Sequence, residues 1–245
     1  LRMTEAMQWS PLQDCKLRIL WNEDLLTQPV GYYSMSWQTD LHMFVSEYHR
    51  EQYCRVIPSI RDWTWVTRNP VDLGMIAESI QGVEKVPHRL IHVSRPERSL
   101  VHGDGSPLLE CFARIRERIP DATLAVCRYH SMYEGNPTVD AICRRADELV
   151  AQAEGVEWLG ELDKRSLYRE IAKSQLMVYP GVPGFAETGC IAATEAQACG
   201  TPLVATSIGA LPETLHRDAG RLIRGDSTTP EYQDLFADAA TALMQ

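Results

Sequence analysis

At 245 residues with 44% apolar content, the chain is long enough to form one large domain or two small ones with a proper core. A formal charge of −9, with acidic and basic residues interspersed, excludes an extended nucleic-acid surface, which needs clustered Lys and Arg to neutralise phosphates. No apolar run reaches the roughly 20 residues of a membrane helix and no signal-peptide pattern opens the chain, so peripheral attachment is the one membrane role left open.

Seven cysteines at 15, 54, 111, 127, 143, 190 and 199 form no CxxC pair. That pattern fits neither a disulfide framework nor a zinc site, and it reads as reduced thiols in a cytoplasmic protein. The chain opens on Leu1 with a strand already due at residue 17, which is expected of a fragment of a longer protein.

In chain order, residues 17–21 (LRILW) read as a short buried strand, and residues 40–46 (DLHMFVS) as a second that runs into a helix from Glu47 to Cys54. A third short strand at 63–67 is followed by RNPVD, where Pro70 breaks regular structure. The polar, helix-compatible span 71–87 is expected to be an interdomain linker between a partial domain, 1–70, and a second domain, 88–245.

From residue 88 the pattern becomes regular. Strands at 88–94, 122–127, 156–159, 175–179, 202–206 and 220–223 alternate with helices at 106–119, 138–153, 163–173, 190–199, 210–216 and 229–244. Apolar β-branched runs alternating with helical periods predict an α/β fold with a doubly wound parallel sheet covered on both faces. In such sheets ligands bind beyond the carboxyl ends of the strands, where strand order reverses, so the loops following the strands carry the functional weight. His92, inside the first of these strands, reads as structural; His102 and the GDG run at 103–105 give only a weak phosphate-loop signal. The six tryptophans read mainly as core, with Trp63 and Trp65 as residues for a domain cleft.

The densest stretch is 179–214, YPGVPGFAETGCIAATEAQACGTPLVATSIGALPET. A helix of small residues starting near Gly189 and Cys190, with Gly200 as its left-handed stop, would point unpaired N–H groups and a positive dipole at the crevice. Cys190 at that terminus is a candidate for a lowered thiol pKa. Glu187 lies just before the helix and Glu195 over one turn inside it, about 12 Å apart at most, a span comparable with a ribose-diphosphate-sugar unit. Carboxylates suit hydroxyl recognition because each accepts several charge-assisted bonds. Spacing alone favours the plainer reading, a helix-terminal acid followed by a solvated glutamate.

The motif Glu187-x7-Glu195, then the small-residue helix and Gly200, Thr201, Pro202, Leu203, Val204, Ala205 and Gly209, resembles the donor-binding signature of the retaining GT-B glycosyltransferases of group 1, family 4. HVSRPERSL at 92–100 is similar to the phosphate loop of that family, with Ser99 where Gly is usual, and more weakly MFVSEYHREQY and VTRNPVDL resemble the end of its N-terminal domain and its crossover. The resemblance implies a Rossmann-like donor domain complete in the last 160 or so residues, a partial acceptor-side domain before it, and hexosyl-type transfer from a nucleotide-diphosphate sugar to a glycan, lipid or small-molecule acceptor. It implies that Arg95 and Arg98 hold the diphosphate, that Glu187 orients the donor sugar and Glu195 the ribose, and that Phe185, Thr188, Gly189 and Cys190 line the donor site. Tyr129 and Leu162, in the loops 128–129 and 160–162, would border the nucleobase.

The family places a His facing the reacting sugar after the first of these strands; this chain has Asn22, Glu23 and Asp24 there, which makes Glu23 and Asp24 the acceptor-side candidates. No DxD-like pair follows a strand, so neither a metal nor another cofactor is expected, and the arginines with the helix dipole would neutralise the leaving diphosphate. A nucleotide-sugar-binding module without transfer activity and a GT-B nucleotide-sugar epimerase are the alternatives.

Overall fold

The computed structural model describes residues 15–26, 29–127 and 135–245, with the backbone alone at 29, 30, 34 and 35. Its first elements are strand β1 (Ile19–Asn22), helix α1 (Pro29–Ser36), strand β2 (Leu41–Phe44), helix α2 (Glu47–Val56), a 3-10 turn (Pro58–Trp63) and strand β3 (Thr64–Val66). Helix α3 (Leu73–Ile80) leads to β4 (Val86–His92), a 3-10 turn (Pro96–Arg98), α4 (Pro107–Arg118), β5 (Thr123–Cys127), α5 (Pro137–Gln152), β6 (Val156–Gly160), α6 (Lys164–Lys173) and β7 (Ser174–Tyr179). The chain closes with α7 (Ile191–Ala198), β8 (Leu203–Thr206), α8 (Leu211–Thr214), β9 (Gly220–Ile223) and α9 (Pro230–Met244).

All strand pairings are parallel, in a small sheet ordered β1-β2-β3 and a larger one ordered β6-β5-β4-β7-β8-β9. The larger order is that of a doubly wound, Rossmann-like sheet, as expected for the GT-B type. Strand order reverses between β4 and β7, so the loops after these two strands open into the same crevice.

Side-chain alternation fixes the two faces of that sheet. Leu90, Leu124, Val126, Leu176, Val178 and Val204 point to one face and pack with α4, α5 and α9 through residues such as Phe112, Val150 and Phe236. Ile91, Ala125, Cys127, Met177, Tyr179, Leu203 and Ala205 point to the other and pack with α3, α6, α7 and α8. Full burial of each large side chain contributes roughly 1.5–3 kcal/mol. Because Tyr179 falls on the second face, its ring lies on the side from which α7 approaches, and α7 comes close because Ala193 and Ala196 are buried against the sheet.

Helix starts follow their caps. The side chains of Ser46, Asp72, Ser106, Asn136, Asp163 and Thr229 each accept a first-turn N–H. Two parts of the sequence reading gain detail. The 71–87 segment, expected as a helix-compatible linker, carries α3, capped by Asp72 and buried through Ile76 against the larger sheet, with Leu73 left exposed. Ser99 has φ −155, a conformation open to any residue, so serine is accommodated there without strain.

The tryptophans correct the sequence reading. Trp63 and Trp65 are 62% and 63% exposed, and Trp21 and Trp37 are exposed as well. Register places Trp21, Met43 and Trp65 side by side across the small sheet, whereas the described core of that sheet, built on Tyr32, Phe44 and Tyr53, lies on its opposite face.

His92 is structural, buried at the end of β4 with Nδ1–H donating to the Val178 carbonyl at 2.9 Å. Burial pushes its imidazole down to about 4. The folded chain therefore keeps it neutral while the unfolded chain protonates it below about 6.5. This contribution to stability is complete above that pH and is lost as pH falls toward 4, by about 3 kcal/mol. Urea unfolding of the wild type and of His92→Asn, which keeps a donor at Nδ, is expected to diverge over that window, with the variant losing less; parallel losses would remove His92 as the cause.

Candidate functional site

The crevice at the switch point is built around one buried carboxylate. Glu187, in the loop after β7, is 5% exposed, and its Oε1 accepts from Arg98 Nη1 at 3.1 Å and from the Tyr179 hydroxyl at 2.6 Å. Arg98 comes from the loop after β4, and its guanidinium also lies over the Phe185 ring, 4.8 Å from the centroid. A buried anion requires this kind of paired, hydrogen-bonded compensation. Burial and the Glu187 charge hold the Tyr179 hydroxyl far above its ordinary range, so it stays a donor. Arg95, at the start of the 3-10 turn, pairs with Glu97 at 2.9 Å.

Backbone packing fixes Glu187 as firmly as its side-chain partners do. Gly209 adopts φ +54, and a Cβ on it would stand 2.2 Å from the Glu187 carbonyl oxygen and 2.5 Å from its nitrogen. Ala210 N–H then donates to that carbonyl at 2.8 Å. Gly189 is similarly confined, with Val45 2.9 Å from where its Cβ would be.

Glu195 stands in α7 and is 3% exposed. Its Oε1 accepts from Lys164 Nζ at 2.5 Å and from the Tyr168 hydroxyl at 3.3 Å. Burial, then the Glu195 charge, raises Tyr168 to about 12, which keeps it protonated as a donor. The first turn of α7 has no side-chain cap, since its N-cap is Cys190, and Gly200 ends the helix region at φ +69 as expected.

The small sheet meets this crevice with the segments that follow its strands. After β1, the Glu23 carbonyl accepts from Thr188 Oγ1 at 2.7 Å; after β2, Ser46 Oγ donates to the Thr188 carbonyl; after β3, Asn69 Nδ2 donates to the Gly189 carbonyl at 2.7 Å. Glu213, in α8, accepts from the Glu47 and Tyr48 N–H groups at 2.9 and 2.7 Å and pairs with Arg68 at 3.3 Å. Arg68 itself has φ +60, a left-handed conformation uncommon for a residue with a side chain.

Of the residues expected to form the site, Arg98, Phe185, Glu187, Thr188, Gly189 and Cys190 come together, with Glu195 further along the same helix. Arg95 lies three residues before Arg98 and is half-buried, and Leu162 packs partly buried against the α7 face of the sheet. Tyr129 lies outside the described residues. The Glu23 and Asp24 side chains are exposed, and what they bring to the site is backbone: the Asp24 carbonyl accepts from His49 Nε2 at 2.8 Å and from the Tyr53 hydroxyl at 2.9 Å. The lowered pKa expected for Cys190 is overturned: burial, reinforced by the Glu187 charge, drives the thiol up, outweighing the helix terminus. Lys164, Ser46 and Asn69 were not legible as site residues because each joins from a distant part of the chain, and Tyr179 and Glu213, although inside the 179–214 stretch, show their partners only in the folded chain. Only the alternation that puts Tyr179 on the α7 face offered a signal.

The close approach of Gly209 to Glu187 has a direct consequence. Gly200→Ala meets no atom within 4 Å and is expected to cost only the left-handed backbone penalty of about 1 kcal/mol. Gly209→Ala adds a collision with backbone and is expected to cost about 3 kcal/mol or more by urea denaturation. Equal costs at the two positions would refute the packing assigned to Gly209.

The model of the family described as glycosyl transferases group 1 matches residues 89–245. Among curated proteins the chain is 34% identical over 113 residues, 45% of this chain and 23% of the relative, to the D-inositol 3-phosphate glycosyltransferase of Mycolicibacterium paratuberculosis. It is 32% identical over 139 residues, 56% and 31% of the two chains, to the protein of that name from Corynebacterium glutamicum. The chain thus spans less than a third of the length of these relatives. In fold it is similar to Anabaena HepE in complex with UDP, with a TM-score of 0.65 at 17% identity over 92% of this chain and 62% of that one. It is also similar to an E. coli trehalose-6-phosphate protein bound with UDP-2-fluoro glucose, with a TM-score of 0.61 at 13% identity over 92% and 62%. With the family model covering more than half of it, on the sheet and loops that build the crevice, the chain belongs to the group 1 glycosyl transferases.

Proposed function

We propose that this chain carries the donor site of a retaining glycosyltransferase that moves a hexosyl group from a nucleotide-diphosphate sugar to an acceptor hydroxyl. The observation that carries the reading is Glu187, a carboxylate buried at the switch point and held by Arg98 beside the uncapped start of α7. The diphosphate sits against Arg95, Arg98 and the α7 N–H groups, which stabilise the charge that develops as the sugar C1–oxygen bond breaks. Glu187 accepts from hydroxyls of the sugar and Glu195 from those of the ribose. The acceptor oxygen bonds to C1 on the face the diphosphate leaves, so the anomeric configuration is kept. Arginine and helix dipole take the place of a metal ion in this scheme. The complexes of HepE and of the E. coli protein with UDP and UDP-2-fluoro glucose support a nucleotide-sugar donor. The names of the curated relatives favour a small phosphorylated polyol as acceptor.

A second reading, donor binding without transfer, is favoured by one observation. At the end of β1 and just after it stand Asn22, Glu23 and Asp24 where the family has its His, and the Glu23 and Asp24 carbonyls are bonded inward.

Thermal shifts with UDP-, GDP- and ADP-sugars are expected to single out one base, since saturation at about 100 times Kd raises stability by about 2.7 kcal/mol. In the full-length protein, Glu187→Gln is expected to bind that donor nearly as the wild type does and to lose roughly 100-fold or more in transfer, with EDTA leaving turnover unchanged. Donor binding with no transfer by the wild type would establish the second reading; a product of inverted configuration would remove the retaining assignment.

A further inference from the structure

Resting on the donor reading above, we propose that Lys164 is a positioning residue for the nucleotide: it fixes the Glu195 carboxylate so that one oxygen is committed to the protein and the other is presented to the ribose hydroxyls. Lys164 is the first residue of α6 and Tyr168 stands one turn further along, an i, i+4 spacing that puts both on one face of the helix. That face meets α7 at Glu195. Both side chains donate to the same oxygen, Oε1, and among the described residues Oε2 accepts no hydrogen bond. An ionised carboxylate offers about four acceptor sites over its two oxygens, so the second oxygen retains capacity for a pair of hydroxyls. The ammonium also lies 5.9 Å from the centre of the Tyr168 ring, which holds it over the pair.

The burial of the two partners argues against an ordinary surface ion pair. Glu195 is 3% exposed, whereas the Lys164 side chain is 55% exposed. A dry carboxylate reached by a half-solvated cation is costly as a purely structural device, and an apolar residue would pack in its place as well or better. The arrangement does suit a site whose lid is the ligand. A nucleotide laid along this edge removes water from the pair and strengthens the attraction that holds Glu195 in place. Lys164 also follows Leu162 by two residues, so the loop expected to border the base runs directly into the lysine at the ribose carboxylate.

The test measures the affinities of UDP, GDP and ADP and of their 2′,3′-dideoxy forms for the whole chain by calorimetry. The wild type is expected to prefer the ribose form of whichever base it binds. Lys164→Met is expected to weaken that form about tenfold, the worth of a charge-assisted bond, while leaving the dideoxy form within about twofold. Lys164→Arg retains the charge and is expected to keep most of the preference. Glu195→Gln is expected to match Lys164→Met, and the double variant, which leaves no unpaired buried charge, should bind no more weakly than Glu195→Gln alone. Additive losses, equal loss for both sugar forms, or an unchanged preference in Lys164→Met would each overturn the assignment. A wild type that binds none of the three nucleotides removes the donor reading and this inference with it, whereas one that binds without ribose preference removes this inference and the ribose role of Glu195 while leaving the nucleotide-sugar site standing.

Discussion

A carboxylate buried between the diverging ends of β4 and β7 constrains everything around it. Glu187 sets a carboxylate in a place with little water, so it needs a cation and a second donor within bonding distance, and Arg98 and Tyr179 supply them. Each supplier then has requirements of its own. Arg98 must leave β4 through a tight 3-10 turn, Tyr179 must fall on the α7 side of β7, and the backbone of Glu187 must be met by a residue without a side chain, Gly209. The glycine after β8 and the tyrosine at the end of β7 therefore answer to the same anion.

The small sheet depends on the same loop. The segments that follow its three strands each place one bond on Thr188 or Gly189, next to Glu187, and Glu213 receives the first two N–H groups of α2 while Ser46 Oγ accepts the third. The start of α2 is thereby satisfied by protein groups, whereas the start of α7 has no side-chain cap. Of these two helix termini facing the crevice, only the first is closed by side-chain acceptors. The wall of the crevice and the seat of the small sheet are one structure, so a change in the docking of that sheet is felt at Glu187 without any contact to a ligand.

Much of this was legible in the sequence because it is written in local periodicity. The strands after residue 88 alternate side chains between two covered faces, and three of the helices between them open on Ser106, Asn136 and Asp163 caps, so element order followed from spacing. The acid pair and the glycine turns after it fell in register with a known family. What stayed hidden is tertiary. No local signal tells that Lys164 faces Glu195, 31 residues away, or that Glu213 reaches Tyr48 across 165 residues. Tertiary context also overrode two local rules: Cys190 has its thiol driven up by burial in spite of its helix terminus, and Trp21 and Trp37 lie exposed in spite of their apolar bulk.

The charge arrangement carries the argument one step further. The chain is acidic overall, and the cations at the crevice are already paired: Arg98 with Glu187, Arg95 with Glu97, Lys164 with Glu195. A diphosphate entering this crevice meets neutral pairs rather than an open basic patch. Guanidinium groups make this workable, because each carries five N–H donors in a fork and can serve a carboxylate and a phosphate together. Lysine has no such planar fork, which on the proposed reading would suit Lys164 to the ribose side, where one committed bond is enough. On the donor reading proposed above, the start of α7, which lacks a carboxylate in its first turn, would supply the positive field that the paired side chains do not.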